Sequence, residues 1–139
     1  MKVVIDTNVL LVCLPKKSKY RLIFDRFLEK SFELLVTNEI LIEYEEIISA
    51  YTNNLVADNV IRMFLLSPNV KKIEVFYKWN LIINDKDDNK FTDCAIAGNA
   101  DYIVSEDKHF DIIKEIEFPK LTLLSIDEFI DMLQKSKKT

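Results

Sequence analysis

The chain has 139 residues, of which 49% are hydrophobic and 30% charged, with a formal net charge of −4. This length and composition are typical of one folded domain and exclude a largely disordered chain, while the negative charge excludes a broadly basic nucleic-acid-binding coat. The two cysteines lack zinc spacing and indicate buried thiols in a reducing compartment rather than a disulfide framework. No apolar run approaches the roughly 20 residues of a membrane-spanning helix. We therefore expect a cytoplasmic protein without a membrane partner.

The N-terminal half alternates short apolar runs with amphipathic segments. The run at residues 2–5 ends at Asp6, Thr7 and Asn8, a pattern typical of a strand buried on both faces of a parallel sheet. The pair Thr37-Asn38 is a good helix start, and apolar residues keep helical spacing from there to Tyr51. The predicted elements are a strand at 2–5, a helix from 9, a helix at 20–30, a strand at 32–36, and helices at 38–51 and 54–66.

The C-terminal half continues the same alternation. We predict a strand at 72–77, an ambiguous apolar stretch at 79–83, a helix after 88 that stops at 98–99, a strand at 102–104, a helix from 108, a strand at 121–124 and a helix at 126–133. This alternation predicts one α/β domain over residues 1–134 with a mainly parallel sheet. A basic tail follows at 135–139.

Acidic residues follow two of the buried strands. Asp6 and Asp107 would lie at the same edge of a parallel sheet, where ligands of open α/β sheets bind. On the helix from 38, a helical wheel puts Glu43 and Glu45 on either side of the apolar stripe and does not choose between them.

Two further acids lie in and before the helix that stops at 98. Asp88 fits an ordinary helix N-cap. Asp93 precedes a run of apolar and small residues, 94–98, so its carboxylate would be costly to bury unless it were paired or bound to a metal.

Several carboxylates at one edge would repel one another unless a cation is present. Magnesium or manganese suits such oxygen ligands, and the chemistry it supports is phosphodiester hydrolysis by metal-activated water. A Ser-His or Cys-His scheme would require His109, the single histidine, and the single glycine excludes a P-loop. An aspartate-nucleophile phosphatase needs a second aspartate at the position that Asn8 occupies.

With these motifs the chain resembles PIN-domain nucleases, especially bacterial toxin components of toxin-antitoxin pairs related to VapC. The matching segments are VVIDTNVL at 3–10, NEILIEY at 38–44, DDNKFTDCA at 87–95 and ADYIVSED at 100–107. The resemblance implies a five-stranded parallel sheet flanked by helices, and it selects Glu43 over Glu45. One departure is Glu106, where the group commonly has glycine.

The resemblance also implies a site and an activity. Carried over by position, the catalytic residues are Asp6, Glu43, Asp93 and Asp107. The metal ligands for Mg²⁺ or Mn²⁺ are Asp6, Asp88, Asp93 and Asp107. The groups that support these acids or contact phosphate are Thr7, Asn8 and Ser105. Which of Asp88 and Asp93 touches the metal stays open. The expected function is an endoribonuclease acting on RNA, with a small antitoxin and a homodimer or higher homo-oligomer as partners. The alternative is a non-catalytic PIN-like module that binds RNA or protein.

Overall fold

A parallel five-stranded sheet organises the computed structural model, which describes residues 1–136. The strands are β1 (Lys2–Ile5), β2 (Glu33–Val36), β3 (Val70–Lys72), β4 (Tyr102–Val104) and β5 (Leu123–Leu124). Their order is β3-β2-β1-β4-β5, and every neighbouring pair is parallel. The predicted α/β fold with a five-stranded parallel sheet is therefore confirmed.

Helices cover the sheet. They are α1 (Thr7–Cys13), α2 (Arg21–Leu28), α3 (Asn38–Tyr51), α4 (Asn54–Leu66), α5 (Asn89–Ala97) and α6 (Ile126–Ser136), with 3-10 helices at Lys86–Asp88 and Lys108–Glu115. As predicted, α3 begins after Thr37, whose hydroxyl accepts a hydrogen bond from the Ile40 amide at 3.1 Å. Within the part of the chain that the structure describes, no helix has the length and apolar character needed to cross a bilayer.

The central strand is also the anchor for α3. The side chains of Val3, Val4 and Ile5 are all buried, as expected for a strand covered on both faces. The buried Tyr44 hydroxyl of α3 donates a hydrogen bond to the carbonyl of Ile5. This bond holds the first half of α3 against the carboxyl end of β1.

The third strand lies earlier than the sequence predicts. Residues 72–77 were expected to pair, but β3 covers Val70–Lys72 and the chain then runs irregularly through 73–83. The reason is the length of its neighbour, because β2 ends at Val36, the residue that pairs with Lys72. The Ile73 amide still donates to the Val36 carbonyl at 2.7 Å, but past Ile73 this edge segment has no sheet partner in the described chain, and Phe76 and Tyr77 are exposed.

The last helix extends two residues past the predicted domain end at 134. It continues to Ser136, and Lys135 pairs with Asp131 at 2.9 Å. Lys137 and Lys138 of the predicted basic tail lie outside the described residues.

Candidate active site

The carboxyl ends of β1 and β4 bring Asp6 and Asp107 together through Ser105. The Ser105 hydroxyl donates a hydrogen bond to Asp6 Oδ2 at 2.8 Å and accepts one from the Asp107 amide at 3.0 Å. Asp6 is 5% exposed. Burial raises the pKa of Asp6 to about 6, and the negative charges of Asp107 and Glu43 add to the rise while the Ser105 hydrogen bond opposes it.

Glu43 of α3 is held at this edge by two partners. The Thr7 hydroxyl donates a hydrogen bond to its Oε2, and the Lys90 Nζ lies 2.6 Å from its Oε1. Although burial lowers the pKa of Lys90, the hydrogen bond and charge of Glu43 raise it overall, so the lysine stays protonated. Glu45, the alternative left open by the helical wheel, is exposed.

Asp88 joins the same group of acids. Although it precedes α5, its side chain makes no capping hydrogen bond. Burial raises the pKa of Asp88 to about 7, and the negative charges of Asp85, Asp6 and Asp107 raise it further, whereas His109 lowers it. Its Oδ2 atom is shielded from solvent and has no hydrogen-bond partner within residues 1–136.

His109 lies among these carboxylates. Its Nδ1 is 3.4 Å from an oxygen of Asp107 and 3.6 Å from oxygens of Asp85 and Asp88. Donor atoms of Asp85, Asp88 and His109 all lie within 4.8 Å of one another. Asp85, His109 and Lys90 were not among the predicted site residues, since nothing in their local sequence pattern indicates that they face the strand ends.

Asp93 was predicted to share this site, but its contacts lie elsewhere. Its Oδ1 accepts a hydrogen bond from the backbone amide of Trp79 at 3.0 Å. Burial raises the pKa of Asp93, and its charged neighbours are Lys78 and Glu39 rather than the acids around Asp6. The structure thus brings together Asp6, Glu43, Asp88 and Asp107, and it does not bring Asp93 into that group.

The remaining predicted residues border the group. Thr7 and Ser105 are buried and hold acids in place, whereas Asn8 is exposed. Asn8, Asp6 and Asp107 line an open cavity of about 400 Å³. Glu106 also lines this cavity, and its Oε1 accepts a hydrogen bond from the Ile126 amide at 2.6 Å, which ties that carboxylate to the start of α6.

The donor set fits a hard divalent cation. Carboxylate oxygens are the ligands that magnesium and manganese prefer. The raised pKa values of Asp6 and Asp88, and the lack of a hydrogen bond to Asp88 Oδ2 within residues 1–136, indicate a local excess of negative charge that a cation would relieve.

Comparison with known proteins agrees with this fold. The chain is similar over 90% of its length, with 19% identity and a TM-score of 0.62, to a chain in the crystal structure of VapBC2 from Rickettsia felis bound to a promoter DNA fragment, 98% of which is covered. No match was found among curated proteins. A family model of the PIN domain matches residues 2–109, and the chain therefore belongs to the PIN domain family.

Proposed function

We propose that this protein is a divalent-metal-dependent endoribonuclease. The observation that carries the proposal is the convergence of four acids at the carboxyl edge of the sheet, Asp6, Glu43, Asp88 and Asp107. The charges of Asp107 and Glu43 raise the pKa of Asp6. In the same way, the charges of Asp6 and Asp107 raise the pKa of Asp88. Membership of the PIN domain family supports nuclease chemistry. The choice of RNA as substrate, and of Mg²⁺ or Mn²⁺ as cofactor, belongs to the proposal.

Asp6, Asp88 and Asp107 would hold the metal. A divalent ion bound by them would lower the pKa of a bound water and offset the charge of the phosphodiester. Ser105 orients the Asp6 carboxylate, and Asn8 borders the open cavity in which a phosphate group would lie.

In this proposal Glu43 is the acid whose orientation the surrounding residues fix. The Thr7 hydroxyl and the Lys90 ammonium fix its two oxygens, so the carboxylate is oriented before substrate arrives. Lys90 also supplies one fixed positive charge next to the cluster, which reduces the repulsion that an incoming phosphate meets.

The likeness to a VapBC2 chain motivates a biological role. We assign this chain the role of a toxin whose activity is restrained by a small antitoxin protein, and we expect it to form homodimers or higher homo-oligomers in the cytoplasm. The rival role is a PIN-domain module that binds RNA or protein without cutting. The complete set of acids favours the enzyme, because a binding-only module has no use for clustered, partly buried carboxylates that repel one another.

The test is RNA cleavage by the purified protein with Mn²⁺, with Mg²⁺ and with chelator. We expect cleavage only with a divalent ion, and a loss of at least about a hundredfold in Asp6→Asn, Asp88→Asn and Asp107→Asn. Glu43→Gln is measured in the same assay. Its matched control is Glu45→Gln, since both residues belong to α3 and Glu45 is exposed.

Two results would overturn the proposal. One is cleavage that persists in both Asp6→Asn and Asp107→Asn, which would eliminate the site. The other is RNA binding without any cation-dependent cleavage, which would favour the non-catalytic module.

A further inference from the structure

Three aromatic side chains, of which two are exposed and the third is half-buried, form a cluster on the irregular segment 73–83 and on the loop before β5. The Trp79 ring packs edge-on against Tyr77 at 4.9 Å between centroids and against Phe118 at 6.2 Å. Tyr77 is 67% exposed and Phe118 is 82% exposed. Exposed aromatic clusters of this kind mark surfaces that bind another molecule.

The segment that carries Tyr77 and Trp79 is fixed to α5, although it lacks regular secondary structure. Asn89 makes two hydrogen bonds to the backbone of Ile82, at 2.8 and 2.9 Å, and Asp93 accepts one from the Trp79 amide at 3.0 Å. Asn89 and Asp93 are four residues apart and therefore lie on the same face of the helix. These bonds hold the backbone in place while the Tyr77 ring stays exposed and the Trp79 ring is half-buried, so the surface is organised in advance of binding.

Lysines line the cavity beside this segment. The cavity has a volume of about 320 Å³, and Lys72, Lys78, Lys86 and Lys90 all contribute to its wall. Among residues 1–136, only Lys90 of these four forms a salt bridge.

Acids line the same cavity, but two of them are already engaged. Asp93 accepts the Trp79 hydrogen bond, and Asp87 lies 3.6 Å from Lys90. Glu39 and Glu74 also contribute to the wall. The wall therefore carries as many acids as lysines, but Lys72, Lys78 and Lys86 form no salt bridge within the described chain, so their ammonium groups can contact an anionic ligand.

Lys90 links the cavity to the acidic site. Lys90 lines the cavity and contacts Glu43, and Asp87, which also lines it, directly precedes the site residue Asp88. A nucleic acid strand that reaches the acids around Asp6 can therefore extend past Lys90 toward the aromatic rings.

We propose that the cluster of Tyr77, Trp79 and Phe118, together with the adjoining lysine-lined cavity, binds a single-stranded segment of RNA. Bases stack on the exposed Tyr77 and Phe118 rings, which Trp79 supports between them, and phosphates lie at Lys72, Lys78 and Lys86. Stacking of bases on aromatic side chains, combined with contacts between cationic side chains and the phosphates, is how proteins bind single strands without reading sequence. The choice of RNA rests on the proposed function, but the surface is tested by binding alone.

The experiment measures fluorescence anisotropy of labelled oligouridine of about 10 nucleotides with the full chain in chelator, so that no cleavage is needed. An abasic strand of the same length and an RNA duplex are the comparison ligands. The variants are Tyr77→Ala/Phe118→Ala and Lys78→Gln. The control for the aromatic variant is Tyr51→Ala, which removes an equally exposed aromatic ring at the end of α3. The control for the lysine variant is Lys30→Gln, because Lys30 precedes the amino end of β2, whereas the acids lie at the carboxyl ends of the strands.

We expect the double aromatic variant to bind oligouridine about tenfold or more weakly than the Tyr51→Ala control, with an unchanged melting temperature because both rings are exposed. Its affinity for the abasic strand should stay the same. Lys78→Gln should reduce the slope of log affinity against log salt by about 0.7, the value for one phosphate contact on a single strand.

The proposal is overturned if the double aromatic variant binds oligouridine as tightly as the control, which would leave the rings for a protein partner. It is equally overturned if the wild-type protein binds the duplex or the abasic strand as tightly as the single strand. A protein that binds as expected but does not cut when Mn²⁺ is added would refute the proposed function and leave this inference standing.

Discussion

Replacing Asp6 by asparagine should stabilise the metal-free protein at neutral pH. Asp6 is 5% exposed and receives one hydrogen bond from a side chain, that of Ser105. Asparagine has nearly the same shape and keeps an oxygen that accepts this bond, while it removes a negative charge that burial and two neighbouring acids disfavour.

The magnitude follows from the pKa of Asp6, which rises from 3.8 to about 6 on folding. At 1.36 kcal/mol per pKa unit, an ionised Asp6 destabilises the folded state by about 3 kcal/mol. Because folding raises the pKa of Asp6, protonated Asp6 contributes stability to the folded state. This contribution is fully present below about pH 4 and is lost as the pH rises through about 6. We therefore expect the variant to exceed the wild type by about 1–3 kcal/mol above pH 7 and to match it near pH 4.

Urea unfolding in chelator at several pH values measures the difference. Asp58→Asn, an exposed aspartate of α4, is the control and should show no such pH-dependent gain. With Mn²⁺ at about a hundred times its Kd the wild type should gain about 2.7 kcal/mol, and the Asp6→Asn variant should lose most of that gain. A variant that is less stable than the wild type at neutral pH in chelator would refute the reasoning.

Substitutions at three further positions test the contacts that those residues make. Asp93→Asn should keep RNA cleavage within a few-fold, because the amide oxygen still accepts from the Trp79 amide, whereas Asp93→Ala should lower the free energy of unfolding by about 1–3 kcal/mol in urea titration. Thr7→Val should reduce cleavage or Mn²⁺ affinity about 10- to 100-fold by releasing Glu43, and Thr7→Ser should restore both. Gly98→Ala should cost about 1–3 kcal/mol in urea unfolding, since the added Cβ would lie 2.7 Å from a buried leucine side chain and 3.1 Å from a backbone oxygen.

The elements that the sequence predicted well are those whose own residues determine them. The apolar run before Asp6 is a strand because it can be buried on both faces, and α3 begins where Thr37 can cap it. The strand at 72–77 failed for the opposite reason, because the length of an edge strand depends on its neighbour. Residues 73–77 have strand-forming side chains, but β2 ends at Val36, whose carbonyl accepts a last bond from the Ile73 amide, and it offers no backbone partner to residues 74–77.

The same distinction explains the site. The positions of Asp6 and Asp107 follow from the ends of parallel strands, so local pattern was sufficient to predict them. The burial argument correctly indicated that Asp93 needs compensation, but it could not identify the compensating group, which is the backbone amide of Trp79 in a segment without regular structure. Conversely, Asp88 looked like a capping residue and makes no capping bond. A carboxylate that follows the expected capping pattern and yet leaves a shielded oxygen without a hydrogen bond is therefore the stronger candidate for a metal ligand. Within residues 1–136 the His109 Nδ1 lies 3.6 Å from that oxygen, which is too far to replace the hydrogen bond it has lost from water.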